Sequence, residues 1–437
     1  MARSRLRLSR PARRPGGGLA AAAVALTVLL TACTSETATT TTATGGGTSA
    51  TAGSPTTAST SAAAGGGVSL EVPPSVQTPL VASVLYPPVP FMGSDGDRHL
   101  VYELSIVNYS NKNVTIGGLE VLDAENDAVV QTLDQAAVTA RTKPVGQGPW
   151  TNVLAAAQAG TVFLHIALPP DAAVPQELIH RITITADVAP PGANPIVETV
   201  APTTVDPRTV PVLSAPLKGE GYLAADACCD AVRHTRALLA VNGQPFLSQR
   251  YAVDWEQIDA ENRLYVGPRE DVNSYAIFGD EALAAADGTV VVMVDGLAEQ
   301  TPGQFPDNIP LPEADGNSVV LDIGNGFFVN YAHFQPGSVR VQVGDTVKTG
   351  DVLGLVGNTG NSLVPHLHFH VQDGPSPLAS QGLPYEFDSF TVTGQAVSTE
   401  AFDQAEADGT PLPLVAGVVP SEHTNEMVLD QNVVTLG

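Results

Sequence analysis

The sequence predicts a mainly β protein. Three features predict it: short β-branched runs recur along the chain, 41 glycines and 35 prolines punctuate 437 residues, and charged residues make up only 15%. Such a composition favours turns and extended segments over helix bundles. The 43% hydrophobic content is enough for most of the chain to bury a core, and the length allows two or three domains of ~100–200 residues each. The formal net charge is −25. That charge repels phosphate backbones and anionic surfaces, so nucleic acid is excluded as a partner. Three cysteines are too few for a disulfide framework.

Residues 1–32 read as an export leader. Arg3, Arg5, Arg7, Arg10, Arg13 and Arg14 form a basic head, and residues 19–30 form an apolar run that closes on small residues. Twelve residues, eleven of them apolar, are too few for a stable membrane span, which needs ~20. Removing this leader leaves the mature chain more acidic still. The run ends Leu30, Thr31, Ala32, Cys33, which resembles the lipobox of bacterial lipoproteins. The resemblance implies cleavage before Cys33 and a diacylglyceryl anchor on its thiol; an ordinary signal peptide is the alternative. Residues 33–67 are nearly all Thr, Ser, Ala and Gly, a composition that cannot bury a core and serves as a tether. At ~5–6 Å × √n its reach is some tens of Å. The expected location is extracytoplasmic, anchored to the bacterial cell membrane.

Residues 68–190 contain further β-branched runs around 99–107, 114–116, 161–167 and 179–185, each bounded by turn residues. Short strands in this order predict an immunoglobulin-like β-sandwich. His99, His165 and His180 are scattered through the strand patterns and read as structural or surface histidines. A Pro-rich stretch, residues 191–217, marks a linker.

The chemistry concentrates in residues 218–395. His366, His368 and His370 alternate with Leu367, Phe369 and Val371. In a strand, residues two apart share a face, so the three imidazoles line one surface while the apolar residues enter the core. Imidazoles in a row suit a metal ligand beside a catalytic base. Upstream stand Val343, Gly344, Asp345, Val347 and Gly350, then Tyr331, Ala332 and His333, and earlier Arg250, Tyr251, Ala252 and Asp254.

In this order the series resembles peptidase family M23, the zinc-dependent LytM/lysostaphin-type peptidoglycan endopeptidases. Their pattern is His-x-x-x-Asp, Tyr-Ala-His, Val-Gly-Asp-x-Val-x-x-Gly and His-Leu-His-Phe. The resemblance implies an M23-type β-sheet/barrel-sandwich-hybrid catalytic domain and Zn2+ as cofactor. It makes Asp254 and His368 metal ligands, and His333 and His366 the catalytic pair that deprotonates the metal's water and steadies the oxyanion. Peptidoglycan peptides are the implied substrate. A catalytically degenerate domain that binds the wall or activates another hydrolase is the alternative.

One position departs from the pattern. The family's first ligand belongs at position 250, where this chain has Arg250, which never deprotonates and cannot bind zinc. His234 is the substitute expected. Asn242-Gly243 signals a hairpin, and a turn with one extra residue pairs His234 with Ala252, on the face of Asp254. Pro245 lacks an N–H, which favours that looser turn. His370 is the reserve ligand, and Arg250 is free to hold a substrate carboxylate or an acidic neighbour. Cys228 and Cys229 read as a structural disulfide, with thiolate metal ligation as the alternative. Residues 374–382 read as a loop walling the groove. Beyond Asp373, strands are expected at 389–394 and 427–436, and residues 396–437 are expected to be a C-terminal extension.

Overall fold

Period-two runs between residues 80 and 204 pair into two five-stranded antiparallel sheets of the computed structural model, which describes residues 76–437 except Gln147. The leader, Cys33, the tether and the first residues of the sandwich segment lie outside the described residues. In one sheet the order is Leu80–Val84, Arg98–Asn108, Ala159–Leu168, Thr142–Pro144, with Phe91–Met92 also on Arg98–Asn108. In the other it is Ile196–Thr204, Glu177–Ala186, Val114–Asp123, Val129–Asp134, with Val153–Leu154 on Val114–Asp123. Leu100, Tyr102, Leu104 and Ile106 share one core with Ile116, Leu119, Val121, Ile182 and Ile184. This is a two-layer sandwich held by inward-facing apolar residues of both sheets.

The strand Ile196–Thr204 falls inside the stretch read as linker. It pairs with Glu177–Ala186, with a register shift between Val200 and Thr203.

The remainder builds an eleven-stranded sheet. Along its path run Thr346–Val347, Gly288–Val294, Asn317–Gly324, Phe327–Phe334, Leu367–Gln372, Val253–Gln257, Gly219–Ala225, Asn432–Leu436, Phe390–Gln395 and Ser421–His423. Asn432–Leu436, from the expected extension, lies between Gly219–Ala225 and Phe390–Gln395 and pairs with both. The helix Thr399–Asp408 is capped by Ser398, whose side chain accepts from Ala401 N–H, and it ends at Gly409 with φ +65. Its Phe402 and Ala405 pack on Leu223 and Val433.

Residues 77–437 form one compact unit. The join explains a pattern in the strand Arg98–Asn108, where His99, Val101 and Glu103 are buried although they face away from the sandwich core. The eleven-stranded sheet covers them. Tyr251 donates its hydroxyl to the Val101 carbonyl at 3.2 Å. Arg250 makes a two-armed contact with Glu103, Nε to Oε1 at 2.8 Å and Nη2 to Oε2 at 2.7 Å. Both side chains are almost fully buried, at 2% and 1% exposure. The third guanidinium arm donates to the Gly382 carbonyl at 2.8 Å. A Cβ at Gly382 would lie 2.4 Å from the Ser248 carbonyl oxygen, so only glycine brings the chain this close.

Removing one member of a buried ion pair strands the other charge, at a cost of roughly 3–5 kcal/mol. Arg250→Ala is expected to lose about that much stability in urea unfolding. An apolar double variant, Arg250→Met with Glu103→Leu, is expected to recover most of the loss. Equal stability of Arg250→Ala and the parent chain would remove this pair from its structural role.

Candidate active site

Antiparallel pairing sets Asp254 directly opposite His368, and Ala332 opposite His368 on the other side. The register therefore puts Asp254, His368 and His333 on three adjacent strands within one patch. Asp254 Oδ1 lies 2.8 Å from His368 Nδ1 and 3.3 Å from His366 Nε2. Asp254 Oδ2 lies 3.4 Å from His234 Nε2. Two triads fall within metal-sharing distance, His234/Asp254/His368 and His333/His366/His368, the donor atoms of each lying within 4.8 Å of one another.

His234 arrives here by a route the sequence did not indicate. Leu239 pairs with Phe246, Ala240 with Pro245 and Val241 with Gln244. The turn therefore has two residues, with Asn242 at φ +50 and Gly243 at φ +78, and the looser turn expected from Pro245 does not form. The hairpin is short, and His234 lies on the non-strand segment after Gly219–Ala225. That segment folds back so that His234 Nδ1 donates to the Asp226 carbonyl at 2.9 Å. Asp226 follows the strand residue Ala225, whose register partner is Asp254, and this places the loop beside the carboxylate.

Each imidazole has its outer nitrogen tied down. His333 Nδ1 donates to the Thr359 carbonyl at 2.6 Å, and His366 Nδ1 to the Val364 carbonyl at 2.8 Å. His333 itself sits at φ +68, its N–H bonded to the Asp315 carbonyl at 2.9 Å. His368 is held through a side-chain chain instead. Its Nε2 meets His370 Nδ1 at 2.9 Å, His370 Nε2 meets Gln372 Oε1 at 2.8 Å, and Gln372 Nε2 donates to the Gly374 carbonyl at 2.9 Å. The Gln372 oxygen can only accept, so His370 must donate through Nε2 and accept through Nδ1. His368 then carries its proton on Nε2 and turns a lone pair on Nδ1 toward Asp254. His370, the reserve ligand, points away from the carboxylate and acts as this relay.

The same reasoning leaves lone pairs on the inner nitrogens of His234 and His366. Three lone pairs and a carboxylate thus face one another, an arrangement that a cation satisfies and a purely hydrogen-bonded cluster of neutral rings does not. The residues fit zinc: two imidazoles and a carboxylate as ligands, each imidazole oriented by a second partner.

Burial and these close neighbours act on every group of the cluster. Burial would raise the Asp254 carboxyl, but the His234 and His366 imidazoles outweigh it and hold it well below the ordinary range. Burial pushes His234 down, and drives His333 well down with His366 and His368 adding to the effect. Burial also lowers His366, yet Asp254 beside it reverses the sign and raises its pKa.

Other expectations meet the structure as follows. Arg250 holds an acidic neighbour, Glu103, and is removed from the site by burial. Cys228 and Cys229 are joined by a disulfide. His180 is structural, bonded to the Tyr102 hydroxyl and the Ala201 carbonyl at 2.9 and 3.0 Å. His99 and His165, read as scattered, lie against each other. Val101 pairs with His165 and His99 with Ala167, so the two histidines are diagonal neighbours on one face. The loop before Gly382 closes over Arg250 through Gln381 as well as extending the histidine strand's edge.

Residues 272–380 match the family model described as peptidase family M23. That segment of the chain is similar to peptidase family M23. The match contains His333, His366 and His368, while Asp254 and His234 lie upstream of it. Among curated proteins, similarity extends to an uncharacterized metalloprotease of Buchnera aphidicola, 39% identical over 56 residues, 13% of this chain and 14% of that protein. It extends also to a DD-carboxypeptidase/endopeptidase, Mpg, of Neisseria meningitidis, 30% identical over 92 residues and 21% of each chain. The alignments thus span about a seventh to a fifth of those relatives' length. Among solved structures, the lysostaphin catalytic domain of Staphylococcus simulans aligns at 22% identity, covering 38% of this chain and 88% of that one, with a TM-score of 0.21. Csd3 of Helicobacter pylori aligns at 15% identity over 61% of this chain and 76% of that one, with a TM-score of 0.22.

Metal analysis of purified variants separates ligand from relay. His234→Ala is expected to lose bound zinc. His370→Ala is expected to keep one zinc per chain at saturation while its affinity falls by about 10–100-fold, the usual effect of deleting a ligand's outer partner. Normal zinc affinity in His234→Ala would remove His234 from the ligand set.

Proposed function

We propose that this chain is a zinc endopeptidase that hydrolyses peptide bonds of cell-wall peptidoglycan outside the cytoplasm, anchored through lipidated Cys33. The observation that carries the reading is the convergence of His234, Asp254 and His368 on one point, with His333 and His366 beside it. His234, Asp254 and His368 would hold the metal. Zinc bound there supplies a Lewis acid that polarises a carbonyl and acidifies water.

The two remaining imidazoles divide the proton work. His333 is driven well below its ordinary pKa by burial, so at neutral pH it is uncharged and available to accept a proton at Nε2. His366 turns Nε2 to the same place, 3.3 Å from Asp254 Oδ1, where it suits hydrogen-bond donation to a developing oxyanion or leaving amine once it has taken up a proton. The Thr359 and Val364 carbonyls fix which nitrogen of each ring faces the substrate. The tether composition supports a domain working at a distance from its anchor, as a polymeric substrate requires.

Purified protein with zinc is expected to release soluble peptides from isolated peptidoglycan, and a chelator to stop it. His366→Ala should retain zinc and lose about 10²–10⁴-fold in rate. Failure of the zinc-loaded chain to release peptides while sedimenting with the wall would replace the enzyme by a wall-binding module.

In cells, Cys33→Ser is expected to move the protein from the membrane fraction to the soluble fraction. Retention of the variant in membranes would refute the anchor.

A further inference from the structure

A second cluster of ligating groups lies at the seam between the sandwich and the peptidase sheet, and the proposed hydrolysis does not use it. His99 comes from the strand Arg98–Asn108, His165 from Ala159–Leu168 and Cys229 from the loop after Gly219–Ala225. One donor atom from each lies within 4.8 Å of the others.

The two imidazoles meet in a way that hydrogen bonding between neutral rings does not satisfy. His99 Nδ1 lies 2.8 Å from His165 Nε2. The outer nitrogens are both committed: His99 Nε2 to Asp95 Oδ1 at 3.0 Å, and His165 Nδ1 to Asp230 Oδ2 at 3.1 Å. Both partners are carboxylate oxygens, which accept. Each outer nitrogen must therefore donate, and the two inner lone pairs of neutral rings face each other across 2.8 Å. Something positive belongs between them, either one extra proton or a metal ion.

Imidazoles whose outer N–H groups bind carboxylates are the usual form of histidine metal ligands. The pocket is also built. His99 is 1% exposed, stacked on Phe91 and His165 at centroid distances of 5.4 and 5.1 Å. A Cβ at position 93 would lie 2.5 Å from His99 Nε2, so Gly93 leaves the space this ring fills. Cys229, also buried, supplies sulfur, at present in the disulfide with Cys228. Arg141 and Arg236 both bind Asp230, and a bound cation is compatible with them once a thiolate adds negative charge.

We infer that His99, His165 and Cys229 form a second, redox-gated site for a thiophilic divalent cation of the zinc class. A dithiol reductant supplies two electrons and two protons, breaks the Cys228–Cys229 bond and is itself oxidised to a disulfide. The Cys229 thiol then gives up its proton to solvent as sulfur binds the metal, and the proton shared by the two histidines leaves likewise. Two imidazoles and one thiolate are a zinc-type donor set. The metal would pin the sandwich to the loop that carries His234, five residues beyond Cys229.

Cobalt(II) spectroscopy on the full chain tests this, because the His234/Asp254/His368 site has no sulfur and gives no thiolate-to-cobalt charge transfer. Protein reduced with a dithiol and desalted without air is expected to show that near-ultraviolet absorption and to bind one more equivalent of cobalt than oxidised protein. Cys228→Ser, which leaves Cys229 unpaired, should show it without reductant. His99→Ala and His165→Ala should lose it, whereas His234→Ala and Cys33→Ser should keep it. No charge-transfer absorption in either reduced protein or Cys228→Ser would overturn the inference. So would its survival when both His99 and His165 are replaced, or its loss in Cys33→Ser.

Discussion

Asp254 is the constraint on which the peptidase half of this molecule depends. A single carboxylate is approached by His234, His366 and His368 at 2.8–3.4 Å, and each ring is oriented from behind by a different partner. Because those partners fix where the protons are, the inner nitrogens present lone pairs to an anion. A cation placed between those lone pairs and the carboxylate would satisfy all of them at once. Strand register supplies the geometry: Asp254 and His368 are direct partners in the sheet, and a slip of one residue would turn either away.

Arg250 shows how the site and the domain join are linked in sequence. The residue four before Asp254 lies under the sandwich and spends its guanidinium on Glu103 and Gly382. The position thus serves as a fastening between the two sheets. The ligand proposed in its place, His234, is a loop residue held by the Asp226 carbonyl. The seam therefore bears on the site, since the segment bringing His234 to Asp254 also carries Cys228 and Cys229 and contacts the sandwich through Asp230.

Much of this was legible in the amino-acid order. The alternation of His366, His368 and His370 with apolar residues announced a histidine strand, and its spacing to His333 and Asp254 announced the site. His234 was legible as a candidate, but its path was not. A two-residue Asn242-Gly243 turn puts it on the wrong face of a long hairpin, and only a hairpin that ends after three pairs lets the chain fold back. Glu103 was not legible, because it lies 147 positions before Arg250 and its strand looked like an ordinary sandwich strand. The relay role of His370 depends on Gln372 and the Gly374 carbonyl, a local chain that periodicity alone does not disclose. His99 and His165 seemed scattered because their adjacency arises from a pairing 66 residues apart.

Anomalous diffraction at the zinc absorption edge, from crystals of the zinc-loaded chain, tests the central arrangement most directly. The arrangement described here places one strong peak bonded to His234 Nε2, an Asp254 oxygen and His368 Nδ1, with the rings of His333 and His366 beside it. A peak coordinated by His370 with His234 turned away, or no peak between Asp254 and His368, would contradict it.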